Sequence, residues 1–212
     1  DYFLRERTED IAWHTEAIAS HYNKDQPLVL VRNSTDSSVA NTTQIFIHAR
    51  NGPLLFSTTC AGLELLDLSI HDARIYNDRG GMTLDTFFVL DSSGQSIAED
   101  SPRINQIADY LSEKLSNISG EPGIMQRRTP RQMKSFSIPT ATKMSLDEIG
   151  QVTVLEVATP DRPGLLARIG KIFNDFDIEL RSAKIQTLGE RVEDVFFLTD
   201  TAHQPLTDPD LC

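Results

Sequence analysis

Cysteine is nearly absent from this chain of 212 residues, which holds only Cys60 and Cys212. The two form no spaced motif, and Cys60 falls inside an apolar helical pattern. A disulfide scaffold and a cysteine metal knuckle are therefore excluded, and the usage suits a reducing, cytoplasmic compartment. Long apolar runs are missing as well. None approaches the roughly 20 residues of a membrane helix, and the N-terminus lacks the basic-then-apolar pattern of a secretory leader. Positive charge is scarce: 20 Lys and Arg stand against 31 Asp and Glu, a net charge of −11. A duplex-binding surface needs a positive face, so neither nucleic acid nor membrane is an expected partner. The only basic cluster is Arg127, Arg128, Arg131 and Lys134. It reads either as a solvated connector or as a docking patch for an acidic neighbour, such as another domain of the same protein.

Catalytic patterns are missing too. There is no Walker loop, no Gly-x-Ser-x-Gly and no Cys-His pairing. His14, His21, His48 and His203 show no metal-ligand spacing. The doublet His71-Asp72 resembles half of a phosphohydrolase metal site, but it lies on an expected strand without partners and reads as surface. Phe87-Phe88 and Phe196-Phe197 lie where RNA-recognition domains place stacking rings. Asp85, Asp91, Glu193, Asp194 and Asp200 surround them instead of basic residues, so they read as core. No catalytic and no metal-ligating residue is assigned.

What the chain does contain is a repeat. Residues 43–97 read again at 153–206. Thr43, Pro53, Leu55, Asp67, Ala73 and Ile75 meet Thr153, Pro163, Leu165, Asp177, Ala183 and Ile185 at a constant spacing of 110. One residue then drops out of a turn. At 109, Asp85, Phe87-Phe88 and Asp91 meet Asp194, Phe196-Phe197 and Asp200. A repeat this long implies two copies of one small domain. Two such domains can pair about a pseudo-two-fold axis, with a groove between them for a small ligand.

The second copy parses finely. Val152–Val157 reads as a strand and Pro160-Asp161-Arg162-Pro163-Gly164 breaks it. Leu165, Leu166, Ile169, Ile172, Phe173 and Phe176 then form one apolar helical face. Asp161 or Arg162 takes the cap position, with Pro163 where helix starts tolerate proline. Strands follow at 178–187 and 192–199, joined by a turn at Gly189-Glu190. The first copy matches, with strands at 44–49, 69–76 and 82–90 and a helix from Pro53 to about Leu66. It continues into a helix opened by Ser101-Pro102 and a strand at 135–140.

The plan is β-α-β-β-α-β, an α+β fold of two ferredoxin-like units in tandem. In the second copy the Ser101-Pro102 opening finds its match only at Asp208-Pro209, so that unit reads as incomplete. The spare strand Leu28–Val31 is expected to complete it. An N-terminal helix over residues 1–25, opened by Thr8 and stopped by Pro27, precedes both units. The expected organisation is a helical linker over 1–27, a first unit with its leading strand over 28–145, and a second unit over 146–212.

The loop from Pro160 to Leu166 feeds a helix N-terminus, whose free N–H groups and positive dipole end attract carboxylates and phosphates. Gly164 exposes backbone for close approach, and Asp161 can accept from an ammonium. Carboxylate plus ammonium is the signature of an amino acid. The alternative is that Asp161 only caps and Gly164 only permits packing. The first copy carries Asn51-Gly52-Pro53-Leu54-Leu55 in the same place. Its side-chain-bearing Leu54 and its amide in place of a carboxylate make the two sites unequal, the second the tighter. Ala183–Gln186 or Ala73–Tyr76 would close the groove.

The loop Asp161-Arg162-Pro163-Gly164-Leu165-Leu166 resembles the ligand loop of ACT domains, small βαββαβ modules that sense amino acids. Residues 130–139, 152–158, 165–170 and 183–200, and Glu9–His14 ahead of them, are similar to the C-terminal tandem ACT region of the bacterial bifunctional uridylyltransferase/uridylyl-removing family. That resemblance implies several things. The chain is a glutamine-sensing regulatory region of an enzyme that attaches and removes uridylyl groups on the PII signal protein. The catalytic domains lie upstream, Mg2+ belongs to the parent enzyme, and no cofactor binds this fragment. Partners would be glutamine or a related amino acid, PII, the catalytic domains, and a second copy through the ACT sheets. The rival readings are a ligand-free dimerisation or docking module and an amino-acid sensor of a biosynthetic enzyme. The loop Asn51-Gly52-Pro53 departs from the family's Asp-Arg-Pro form.

Overall fold

The computed structural model describes residues 2–23, 25–78, 80–118, 139–188 and 191–206. The basic cluster 127–134, most of the strand expected at 135–140, the turn at 189–190, Asp208-Pro209 and Cys212 lie outside the described residues.

The repeat folds as the spacing requires. The first unit contains β1 (Leu28–Asn33), β2 (Thr43–His48), α3 (Leu55–Leu65), β3 (Ser69–Tyr76), β4 (Asp85–Leu90) and α4 (Pro102–Ser116). The second contains β5 (Ala141–Asp147), β6 (Val152–Pro160), α5 (Leu165–Asp175), β7 (Glu179–Leu188) and β8 (Arg191–Thr199). Two short helices, α1 (Tyr2–Arg5) and α2 (Thr8–Ser20), come first. Ser101 caps α4 by accepting from the Arg103 N–H. Even loop details recur: the Ile97 N–H donates to Thr43 Oγ1 at 2.8 Å and the Leu206 N–H to Thr153 Oγ1 at 2.9 Å.

All described strands join one antiparallel sheet in the order β1-β2-β4-β3-β7-β8-β6-β5. The units meet side by side where β3 pairs with β7. Asp72 pairs with Gln186, Arg74 with Lys184 and Tyr76 with Ser182. Adding 110 to either outer residue of one strand gives the partner of the other, so a pseudo-two-fold axis passes between Arg74 and Lys184. Such an interface is self-complementary, as in a symmetric dimer.

One expectation fails. Leu28–Val31 does not complete the second unit. It belongs to β1 and pairs with β2 of the first, Leu28 opposite His48 and Asn33 opposite Thr43. The second unit's outer strand is β5, which pairs with β6 from Ala141–Ala158 to Asp147–Val152 and runs across the expected boundary at 145/146. In both units the outer strand thus precedes the repeat, instead of following its second helix. The physical reason is chain connectivity. β1 reaches β2 through residues 34–42, and β5 reaches β6 through residues 148–151. Short antiparallel connections cost less loop entropy than a crossing to the far edge of the sheet.

The helices α3 and α5 pack together on one face, over a core of Ile45, Ile47, Leu63, Ala73, Phe87, Ile107, Leu111, Ile185, Phe196 and Leu198. Phe87, Phe88 and Phe196 have no exposed area, so these are core rings and not stacking platforms. The two helices touch at Gly170, where an added Cβ would lie 2.8 Å from Phe56 and 3.2 Å from the Ser57 Cα.

The opposite face carries α1 and α2 through polar contacts. Helix α2 starts from Arg7 with no side-chain cap, not from a Thr8 cap, and ends at Ser20, before the expected stop at Pro27. Its first-turn Asp10 is 1% exposed. It accepts from Gln44 Nε2 at 3.1 Å and from Arg32. The His14 ring stacks on Phe46 at 3.7 Å between centroids, and the Arg32 guanidinium lies 3.7 Å from the centroid of the Trp13 ring. Arg74 binds Glu6 at 3.0 Å, Asp36 at 2.9 Å and Asp72 at 3.9 Å.

Candidate functional site

The side-by-side pairing creates two related clefts. The larger, of about 530 Å3, holds Asp161, Arg162, Pro163, Leu165 and Leu166 from the second unit's strand-to-helix loop. The smaller, of about 400 Å3, holds Asn51, Gly52, Pro53, Leu54 and Leu55 from the first unit's loop. Each expected loop therefore opens into a cleft of its own. Ile185 and Thr187 of β7 line the larger cleft, and Ile75 with Asn77 beyond β3 lines the smaller.

Each cleft is closed by the other unit, as a groove between paired units requires, but at residues that sequence reasoning did not assign to the site. Cys60, Glu64 and Asp67–Ile70, from α3 and the start of β3, close the larger cleft. Their repeat partners Gly170, Asn174 and Asp177–Leu180 close the smaller. A usable signal was present: Asp67 and Asp177 match in the repeat and both take left-handed backbone, at φ 57° and 53°. They make the same turn from helix into strand, and that turn is the far wall of the partner's cleft.

The loops end in uncapped helices. The residue preceding α5 is Gly164 at φ 77°, and the residue preceding α3 is Leu54 at φ 67°; neither helix start receives a side-chain cap. The cap is thus Gly164, not Asp161 or Arg162, which frees Asp161 to line the cleft. Left-handed backbone is easy for glycine and costs a leucine about 1–2 kcal/mol. Some of the helix-start donors are already engaged. The Leu165 N–H donates to the Arg162 carbonyl at 3.0 Å, and the Leu55 N–H to the Gly52 carbonyl at 3.3 Å. The Gly164 N–H donates to the carboxylate of Glu64, on α3 of the other unit. A protein carboxylate therefore sits where a ligand carboxylate was expected.

Two buried aspartates sit in the cleft walls, one per unit. Asp194 on β8 lines the larger cleft and is 0% exposed; Asp85 on β4 lines the smaller and is 2% exposed. Burial pushes both carboxyls up to about 7, against hydrogen bonds from the Gln186 backbone for Asp194 and from Thr83 and the Tyr76 backbone for Asp85. Asp161 is also raised, by burial. The sequence displayed both aspartates as repeat partners; their strand setting hid that they face the clefts. Asp72 of the His71-Asp72 doublet stands on β3 beside Arg74. Among the described residues no group of three or more His, Cys, Asp or Glu side chains is disposed to hold a metal ion, so none of them fits the Mg2+ implied for the parent.

Residues 153–211 match the ACT domain family. The second repeat is an ACT domain. Over its whole length the chain is 52% identical to the "Bifunctional uridylyltransferase/uridylyl-removing enzyme" of Azotobacter vinelandii (strain DJ / ATCC BAA-1303) and 51% identical to that of Pseudomonas aeruginosa (strain LESB58). The match covers 100% of this chain and 24% of each relative. The chain therefore spans about a quarter of their length and corresponds to their C-terminal part. A crystal structure of aspartate kinase from Synechocystis aligns at TM-score 0.38 and 16% identity, covering 76% of this chain and 24% of that one. That likeness is too weak to bear on the fold. No described helix is long and apolar enough to cross a membrane.

Proposed function

We propose that this chain is the amino-acid-sensing regulatory region of an enzyme that uridylylates and deuridylylates the PII signal protein, and that its ligand is glutamine. One observation carries the reading. Each cleft sets an uncapped helix start beside buried carboxyl groups, within a volume typical of small-molecule sites. Backbone donors suit the ligand's carboxylate and aspartates suit its ammonium. Because each cleft has walls from both units, a bound ligand bridges them. A ligand that binds one arrangement of the units better than another shifts the balance between arrangements. Upstream catalytic domains coupled to that balance would be biased by about 1–3 kcal/mol, as couplings between sites usually are. The nucleotidyl chemistry, its Mg2+ and the PII contact belong in this reading to those domains. A second copy of the chain would join through the ACT sheets.

Glu64 gives the mechanism a concrete element. Its carboxylate occupies the Gly164 N–H, so a ligand carboxylate there must displace it. The displacement would loosen α3 from the second unit's loop, a change the catalytic part can sense.

Calorimetric titration of glutamine tests the reading. Binding is expected for the unaltered chain. Asp161→Ala is expected to bind roughly tenfold to a hundredfold more weakly, the worth of a charge-assisted hydrogen bond. Gly164→Leu should block approach and add backbone strain. No heat from the unaltered chain, with normal melting, would support the ligand-free docking module instead.

A further inference from the structure

The two clefts are related by the repeat, yet their buried aspartates have different partners. In the smaller cleft the Thr83 hydroxyl donates to Asp85 Oδ1. Thr83 corresponds to Val192 at the 109 spacing, and Val192 is 3% exposed with no hydroxyl to offer. Among the described residues, Asp194 accepts only from the Gln186 N–H, on Oδ1 at 3.2 Å, and its buried Oδ2 has no hydrogen-bond partner. A buried carboxylate oxygen without a donor keeps its full desolvation cost, so one lining a cleft can accept from a ligand's donor.

We infer that Asp194 Oδ2 is the seat for the ammonium group of the ligand, and that the larger cleft alone has such a seat, because Val192 leaves open what Thr83 fills in its counterpart. This rests on the sensing reading and names the group that reads the ligand's amine. The surroundings fit. Besides Asp194, the cleft is lined by Asp161, Glu64, Asp67 and Asp91, with exposed Arg162 the one cation among its described lining residues. A primary ammonium is drawn inward by that field, and the ligand's carboxylate is directed to Arg162 and the helix start. The remaining titratable group, the Cys60 thiol, is pushed further up by burial and stays neutral. One other repeat difference favours the same cleft: Asp161 lines it where the smaller has Asn51.

The seat also predicts proton traffic. Burial holds the empty Asp194 carboxyl partly protonated at neutral pH, with Asp161 adding to the effect. A seated ammonium favours the ionised form. Binding at pH 7 therefore releases a proton from Asp194 to solvent, and glutamine affinity rises between pH 6 and pH 8.

The test is calorimetry on the 212-residue chain with glutamine and with its deaminated analogue 4-carbamoylbutanoate, in two buffers of different ionisation enthalpy. Asp194→Asn is expected to weaken glutamine roughly tenfold to a hundredfold, to leave the analogue's weak binding unchanged, and to abolish the buffer dependence. Val192→Thr places in the larger cleft the residue already present at position 83. It is expected to weaken glutamine several-fold with the melting temperature kept. Equal glutamine binding by the unaltered chain and Asp194→Asn, or binding of the analogue as tight as that of glutamine, overturns the seat and leaves the sensing reading standing. No glutamine binding by the unaltered chain overturns both.

Discussion

Removing the Arg74 guanidinium tests what holds the N-terminal helices to the sheet. Arg74 reaches three carboxylates from different segments: Glu6 after α1, Asp36 in the β1–β2 loop and Asp72 on β3. The Glu6 side chain is 0% exposed and that of Arg74 17%. The carboxyls respond unequally. Burial raises Asp36, but hydrogen bonds from Arg74 and Ser38 outweigh it and hold that carboxyl down to about 2. Burial lifts Glu6 above the usual carboxylate range even with Arg74 beside it. Arg74→Met keeps an unbranched apolar stem and deletes the guanidinium, whose carbon lies 4.9 Å from the Phe88 ring centroid. Breaking a buried pair from one side costs about 3–5 kcal/mol. At pH 8 that cost should appear nearly in full. At pH 5 it should shrink, because Glu6 then takes up a proton instead of remaining a bare buried charge. Urea unfolding at both pH values measures the cost. Trp13, the chain's single tryptophan, sits on α2 against Arg32, so its emission reports the helix separately from far-ultraviolet dichroism of the sheet. The expected outcome is a Trp13 transition at lower urea than the sheet transition. A loss below about 1 kcal/mol at pH 8, with coincident transitions, would refute the view that this ion cluster holds the helices in place.

Gly170→Ala should destabilise the chain by about 1–3 kcal/mol in urea, despite alanine's higher helix propensity, because its Cβ meets the Ser57 backbone and spreads α3 from α5. Leu54→Gly should gain about 0.5–1 kcal/mol by the same assay, since glycine removes the left-handed strain at φ 67° and gives back part of it as chain entropy. His14, held down to about 4 chiefly by burial, stays neutral in the fold. Its contribution is full above pH 6.5 and is lost as pH falls toward 4. His14→Gln should therefore flatten the acid limb of the melting temperature measured against pH.

Much of this fold was legible in the sequence because a repeat carries its own check. The helix faces of 55–65 and 165–175 and the strand 69–76 follow from periodicity read twice. The partner of Leu28–Val31 did not follow. Alternation and β-branching say that a segment is a strand, while pairing depends on connections and on which edge is vacant, and neither is written in the residues. The cap of α5 was misplaced for a related reason. Asp161 is a good cap by type, but Pro163 and the left-handed Gly164 delay the helix by three residues. The loop at 51–55, and 161–163 with Leu165 and Leu166, were legible as cleft residues. Their far walls were not, since Glu64 and Asn174 reach the clefts only through the β3–β7 pairing. Asp85 and Asp194 were visible as matched acids and invisible as cleft acids, because a strand residue's face is set by register.

Stability and binding should move in opposite directions at Asp194. Its carboxyl is raised from 3.8 to about 7 by burial, with Asp161 adding to the effect against the Gln186 N–H. An acid whose folded pKa lies above its unfolded value contributes fully below the unfolded value, and that contribution is lost as pH rises through the folded one. The window is therefore about pH 4 to 7, with stability falling toward neutrality. One pKa unit is about 1.4 kcal/mol, so the two units between pH 5 and 7 are worth roughly 2–3 kcal/mol. Asp194→Asn keeps an acceptor for the Gln186 N–H and cannot ionise. Relative to the unaltered chain, it should thus gain about 2–3 kcal/mol more at pH 8 than at pH 5, read from urea midpoints. Asp85→Asn should show the same slope, since Asp85 is raised to about 7 as well, chiefly by burial. Only Asp194→Asn should also lose ligand. A variant that melts higher at pH 8 yet binds more weakly has not lost its ligand by unfolding. A surface reading of these aspartates predicts no pH-dependent gain from either substitution, and that result would refute the argument.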